Sequence, residues 1–324
     1  MNKIEFKKYP GNPVIPNTPG SFYSRYAANP DLLFYRGKYH LYFRGQGDGK
    51  QDQIGAAFAA PDLFDGIHWD FYPENPVIPA GEPDQFDGRH VLDPAAVLIS
   101  NKVFCCYSGH PFQGKASIGL AVSKDGITFQ KAGINPVIPN AIAPETVFHN
   151  GKLHLFYQRD TAGYFELYKC TSPDGYHFDE RDERKVFGPS GPGHAFDSFS
   201  ISTCRIWRED EWFFMTYGGC RRFKDYPEAF GLARSRDLAS WERYPGNPIL
   251  TRGAEGAWDE GAVWFATVHK EENTRYLWYE GTGTSGKFGA QASAECRGSD
   301  YGGYGRTSFS QIGMAVYEGP DLSW

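Results

Sequence analysis

Three carboxylates hold matching places in this chain and define the chemistry it can offer. Asp93 lies in VLDPAAVLISNKVFCCYSG (91–109), Asp31 in AANPDLLFYRGKYHLYFRG (27–45) and Glu145 in AIAPETVFHNGKLHLFYQR (141–159). One nineteen-residue frame covers all three stretches without a gap. Acids crowded into a shared cleft repel each other and raise at least one pKa, which is how one carboxyl stays protonated as a general acid. If the fold brings the three copies together, the set can move protons.

Two further copies of the frame, ISTCRIWREDEWFFMTYGG (201–219) and VWFATVHKEENTRYLWYEG (263–281), act as controls. In the column of Asp93 the five copies read Asn29, Asp93, Ala143, Thr203 and Phe265. Two residues on they read Asp31, Ala95, Glu145, Arg205 and Thr267. Simple strand alternation puts both columns on one face. The scaffold is common to all five, so function belongs to the residues that differ.

Each frame reads as two apolar strands joined by a polar turn. A third strand follows, as in QIGAAFAA (53–60), SIGLAVS (117–123) and QIGMAVYE (311–318). A turn and a fourth strand then lead to an Asn-Pro signal at Asn12, Asn75, Asn135 and Asn247, with spacings of 63, 60 and 112 residues. The double spacing calls for a degenerate copy, and VFGPSG (186–191) stands there. Five units of four short strands predict an all-β, five-bladed β-propeller. The chain stops before a fifth fourth-strand, and IEFKKYPGNPVIP (4–16) matches that missing piece. The N-terminal strand is therefore expected to complete the last blade, giving a single domain over 1–324.

In a propeller the first strand of each blade opens at the mouth of the central channel, and the second returns there. The second strands and the turns after them deliver Arg44, His110, Arg159 with Asp160, Arg221 with Arg222, and Glu280. With Tyr26, Tyr107 and Trp264 these give the mixed aromatic and polar lining that sugars require. Asn29 and Arg205, from the two columns above, join this substrate-binding set. His90 and His194, on loops leading in, are weaker signals. Asp87, Asp197 and Asp259 recur at one place before the first strand, which marks them as turn or capping groups. SKDGITF (123–129) and SPDGYHF (172–178) are similar to the Asp-box turns of sialidases, and tight Asp-Gly hairpins of this kind recur whatever the function. The Gly-rich excursion 281–309 is either a specificity lid or a plain surface loop.

Bulk properties exclude several classes. A net charge of −6 offers no basic field for nucleic acid. No apolar run reaches the ~18 residues of a membrane span. The six cysteines show no CxxC pair or metal-ligand spacing, so reduced, apolar packing is expected and neither metal nor cofactor is called for. MNKIEFKKYPGNPVIP lacks an apolar signal segment, which points to the cytoplasm, although a trimmed secreted chain would look the same. The expected partner is an oligosaccharide. The sequence does not reveal the oligomeric state.

With these residues in place, the chain resembles the five-bladed propeller glycoside hydrolases, glycoside hydrolase family 43 in particular, and is also similar to families 117 and 130. The family 43 likeness implies a base on blade one, a pKa-tuning aspartate on blade two and an acid on blade three. Leu92-Asp93-Pro94 matches the second, and Glu145 in Ala143-Pro144-Glu145 sits on the blade of the third. Asn29 stands where the blade-one aspartate is expected, with Asp31 two residues later. These matches imply an exo-acting, inverting glycosidase. Glu145 protonates the leaving oxygen, Asp31 activates water and Asp93 holds geometry. The acid and base carboxyls are then roughly 6.5–9.5 Å apart. The family 130 likeness implies phosphorolysis instead, with Asp93 as proton donor and Arg44, Arg159 and His110 clamping phosphate. The arginine that follows Asp-Pro in that family is replaced here by Ala95 and Ala96. A sugar-binding propeller without catalysis is the third reading.

Overall fold

The computed structural model describes residues 3–193, 195–283 and 310–324. His194 and most of the 281–309 excursion lie outside the described residues. The chain begins with β1 (Lys7–Lys8). Blade one follows as β2 (Tyr26–Tyr35), β3 (Lys38–Gln46), β4 (Asp52–Ala59) and β5 (Asp70–Phe71). Blade two is β6 (His90–Ile99), β7 (Lys102–His110), β8 (Ser117–Ser123) and β9 (Phe129–Lys131), and blade three β10 (Ile142–His149), β11 (Lys152–Thr161), β12 (Tyr164–Ser172) and β13 (Arg184–Phe187). Blade four is β14 (Ser200–Glu209), β15 (Trp212–Cys220), β16 (Ala229–Ser235) and β17 (Glu242–Arg243), with β18 (Leu250–Thr251) also pairing to β16. Blade five is β19 (Ala262–Glu271), β20 (Thr274–Thr282) and β21 (Ser310–Glu318), completed by β1. The fold is a five-bladed β-propeller. Lys7 pairs with Val316 and Lys8 with Ala315, so the N-terminal strand closes the last blade as its sequence predicts.

The residues divide into two compact units. One holds Met1–Asn17, Asp160–Glu166 and Val186–Trp324; the other holds Thr18–Arg159 and Leu167–Lys185. The first has a core built around Phe214, Phe230, Leu232, Leu277 and Tyr279. The second packs Tyr42, Ile54, Val91 and Tyr107 in one cluster and Phe104, Leu120, Leu155 and Tyr157 in another.

The repeated Asn has a physical reason. Asn135 Oδ1 accepts from the Leu120 amide at 2.8 Å, and its Nδ2 donates to the Leu120 carbonyl at 2.9 Å. Asn75 does the same to Ala56, Asn247 to Leu232 and Asn12 to Met314. Each side chain imitates a paired strand residue after the fourth strand has ended. Asn135→Ala leaves both backbone groups of Leu120 without that partner. The expected cost is about 1–3 kcal/mol, read as a lower denaturation midpoint at constant slope.

Glycines in the second and third strands admit an aromatic plug. A Cβ on Gly109 would meet the Phe86 ring at 2.4 Å, and one on Gly119 would meet Phe86 at 2.7 Å. Beneath the plug, Asp87 accepts from Tyr107 Oη at 2.9 Å and pairs with Lys131 at 2.7 Å. Asp197 takes Tyr217 and Arg243 in the same way, and Asp259 takes Tyr279 and Lys8. These three aspartates are buried structural clamps. Tyr107 is accordingly fully buried under Phe86, which corrects its sequence-based place in the sugar-facing lining. Blade three has Arg159 and Glu166 where the others carry these glycines, and no aromatic plug precedes β10.

The Asp-Gly turns are structural too. Asp125 Oδ1 accepts from the amides of Ile127 and Thr128, and Asp174 from those of Tyr176 and His177. Cys105, Cys106, Cys170, Cys204 and Cys220 are free and buried; Cys296 lies outside the described residues.

Candidate functional site

Every first strand is interrupted at the Asp93 column. Ala28 pairs with Arg44 and Asp31 with Tyr42, so Asn29 and Pro30 together face Phe43. Equivalent bulges fall between Leu92 and Ala95, Ile142 and Glu145, Ser202 and Cys204, and Trp264 and Ala266. The bulged residue is left-handed each time, with φ of 49° at Asn29, 57° at Asp93, 53° at Ala143, 40° at Thr203 and 46° at Phe265. Simple alternation therefore fails across this point, because the extra residue re-aims the chain. The two columns do not share one face in the way that regular pleating predicts. Asp31 instead reaches sideways, and its Oδ2 accepts from the Ala96 amide of β6 at 2.6 Å.

One unit holds all three catalytic candidates. They sit on the successive first strands β2, β6 and β10, and their exposures are 6% for Asp31, 4% for Asp93 and 5% for Glu145. Asp93 stands on its bulge and Asp31 and Glu145 at the first pair beyond theirs, and acids are seldom enclosed without a specific task. Asn29, on the bulge of β2, is also buried.

The same unit holds a polar cluster that the sequence did not reveal, organised by Asp52 at the start of β4. Its Oδ1 accepts from Arg44 Nε at 2.7 Å and Gln46 Nε2 at 2.9 Å, while Oδ2 lies 3.0 Å from His90 Nδ1. Burial pushes the Asp52 carboxyl up, but the Arg44 charge and the His90 hydrogen bond outweigh it and bring the pKa to about 2. Arg44 also stacks over Tyr26, 4.8 Å from the ring centroid. His110 packs edge-on to His90 at 6.4 Å. Burial, and then the neighbouring His90, hold the His110 imidazole down at about 4. Its Nε2 is enclosed with no hydrogen-bond partner among the described residues.

That depressed histidine predicts acid sensitivity. Its folded pKa lies below the 6.5 of an unperturbed imidazole, so the unfolded chain takes up the proton first. Stability present above pH 6.5 is therefore lost as the pH falls towards 4, by up to about 3 kcal/mol. His154, also held at about 4 by burial and Lys169, adds in the same direction. Melting temperatures should fall between pH 7 and 4.5, and His110→Gln should fall less.

The other substrate-binding candidates are similarly engaged. Arg159 donates from Nε and Nη2 to Glu183 Oε2 at 2.9 and 2.5 Å, and from Nη1 to the Pro139 carbonyl at 2.7 Å. In the other unit, the Arg205 guanidinium lies 4.5 Å over the Phe265 ring, and Glu280 Oε1 accepts from Ser310 Oγ at 2.5 Å. A second carboxylate that the sequence did not flag, Asp225, is held by Ser202 and Trp264. Among the described residues, no group of three or more His, Cys, Asp or Glu side chains is placed to hold a metal ion.

The chain matches no protein-family model. An uncharacterised protein of Mycobacterium tuberculosis is 23% identical over 300 residues, covering 86% of this chain and 88% of its own length. Among solved structures, the β-1,2-mannobiose phosphorylase of Listeria innocua superposes with a TM-score of 0.72 at 16% identity, covering 98% of this chain and 97% of its own. The N-acetylgalactosamine deacetylase of F. plautii, in complex with blood group B trisaccharide, superposes with a TM-score of 0.70 at 17% identity, covering 97% and 95%. At these identities the likeness establishes the propeller fold and leaves the chemistry to the residues.

Proposed function

We propose that this chain is a glycoside hydrolase that removes a terminal sugar from a short oligosaccharide with inversion. The supporting observation is the set of three buried carboxylates at or just after the bulges of adjacent first strands within one unit, Asp93 on its bulge and Asp31 and Glu145 at the first pair beyond theirs. Glu145 serves as general acid to the leaving oxygen. Asp31, whose Oδ2 accepts from the Ala96 amide at 2.6 Å, serves as base for water. Asp93 fixes geometry and tunes the acid.

Solved structures of this fold include phosphorylases and also hydrolases that target β-1,2 mannosidic linkages, so both outcomes have precedent. Hydrolysis is favoured by how the proposed anion clamp is occupied. Arg44 is committed to Asp52, Arg159 to Glu183, and His110 is neutral above about pH 4. A phosphate dianion would have to compete with carboxylates already in place. A cytoplasmic role on imported short oligosaccharides belongs to the same proposal.

The test is a panel of aryl glycosides and short oligosaccharides, β-1,2-mannobiose included, with and without inorganic phosphate, and product anomers followed by NMR. Phosphate-independent release of the inverted sugar is expected. Sugar 1-phosphate formed only with phosphate would establish phosphorolysis, and binding without turnover on any substrate would establish a lectin-like propeller.

A further inference from the structure

We infer that Asp225 is a sugar-binding carboxylate on blades four and five, taking the hydroxyls of one residue of an oligosaccharide against the rings of Trp264 and Tyr226. The inference rests on the carbohydrate reading above and adds a binding position that neither of the repeated columns contains.

Asp225 lies in the turn between β15 and β16. One of its oxygens is fixed: Oδ1 accepts from Ser202 Oγ at 2.5 Å and from Trp264 Nε1 at 3.3 Å. Ser202 and Trp264 are the residues immediately before the bulged Thr203 and Phe265, the register that Leu92 holds before Asp93. Oδ2 makes no hydrogen bond among the described residues, and the residue is only partly buried. The carboxylate is thus recessed, oriented and half used. Burial raises its pKa above the ordinary aspartate value, outweighing the lowering by the Ser202 and Trp264 hydrogen bonds and the Lys224 charge.

The turn around it is pinned on both sides. Ser200 Oγ donates to the Lys224 carbonyl at 2.6 Å, and Lys224 Nζ pairs with Asp160. The Val263 amide donates to the Pro227 carbonyl at 3.1 Å, and the Glu228 amide to that of Gly219 at 3.0 Å. A loop needing only to cross from one strand to the next does not require a carboxylate held by two donors at its centre. Tyr226 and Trp264 meet edge to face at 5.7 Å, both partly exposed, giving an apolar surface beside the available oxygen. An acceptor next to partly exposed aromatic rings suits a pyranose, whose hydroxyls donate at its edge while its C–H face packs on a ring. A phosphate or carboxylate ligand would be repelled by the same oxygen.

Asp225→Asn isolates this role. The amide oxygen still accepts from Ser202 and Trp264, while the available acceptor becomes a donor. With the best oligosaccharide of the panel, calorimetric affinity and KM should weaken about ten- to a hundredfold while the melting temperature stays near that of wild type. Ser202→Ala, which frees the carboxylate to turn, should weaken binding less than Asp225→Asn does. Wild-type affinity retained in Asp225→Asn would overturn the inference and leave the enzyme reading intact. A lower melting temperature with unchanged KM would show that Asp225 only ties down its loop. If wild type neither binds nor turns over any sugar, both readings fall together.

Discussion

Asp93→Asn is expected to fold like the parent chain and to lose about 10³-fold in kcat. The backbone makes this a clean experiment. Asp93 has φ of 57°, a left-handed conformation in which Asn is as comfortable as Asp, whereas most other side chains are strained there. The substitution therefore keeps shape and backbone, removes the charge and turns one acceptor oxygen into a donor amide. Asp87, six residues earlier, supplies the contrast. Its carboxylate is buried under Phe86, takes the Tyr107 hydroxyl and neutralises Lys131, so Asp87→Asn leaves that ammonium without its counter-charge. That variant should lose about 1–3 kcal/mol of stability and keep kcat in the fraction that remains folded. Circular dichroism, melting curves and initial rates on the two proteins separate the roles. Asp93→Asn retaining more than a tenth of wild-type kcat would remove Asp93 from the mechanism.

The blades were legible because the chain repeats them. The frame 91–109 became β6 (His90–Ile99) and β7 (Lys102–His110), and its four copies landed as closely. The Asn-Pro signal was legible as a marker, and its cause is the two-point bond from Asn to the third strand, which any fourth strand ending this way can use. The bulge was not legible. Asn29 and Asp93 suit a left-handed residue, but Ala143, Thr203 and Phe265 occupy the same conformation with side chains that give no sign of it. The residue type therefore did not announce the extra residue, and alternation was carried through a point where it breaks. Asp52 and Asp225 were hidden for a different reason. Both stand in charged segments, GDGKQDQIG and RRFKDYPE, where a carboxylate reads as solvated until the fold encloses it. Arg44 and Arg159 looked available for the same reason, because Asp52 and Glu183 come from other strands or turns and share no spacing rule with them.

Arg275→Met should be among the most destabilising single substitutions in the chain, at about 3–5 kcal/mol. Arg275 is completely buried on β20. Its Nε and Nη2 meet Glu209 at 2.8 and 2.5 Å, Nη1 reaches the Pro320 carbonyl at 3.2 Å, and Nη2 lies 3.3 Å from Asp321. Glu209 is itself held by Trp207 Nε1 at 2.8 Å and Lys270 at 3.3 Å. One guanidinium thus ties the end of β14 to β20 and to the segment that follows β21. Removing it leaves an enclosed carboxylate with its main partner gone and the Pro320 carbonyl without its donor. The pair itself need not be strongly favourable, because taking two charges out of water costs nearly as much as their attraction returns. The double variant Arg275→Met with Glu209→Leu should therefore recover much of the loss, a coupling that two independent contributions would not show. Denaturation midpoints of the two single variants and the double give that coupling directly. Additive losses would mean that Arg275 acts through packing against Tyr317, whose ring lies 5.8 Å away, and not through its charge.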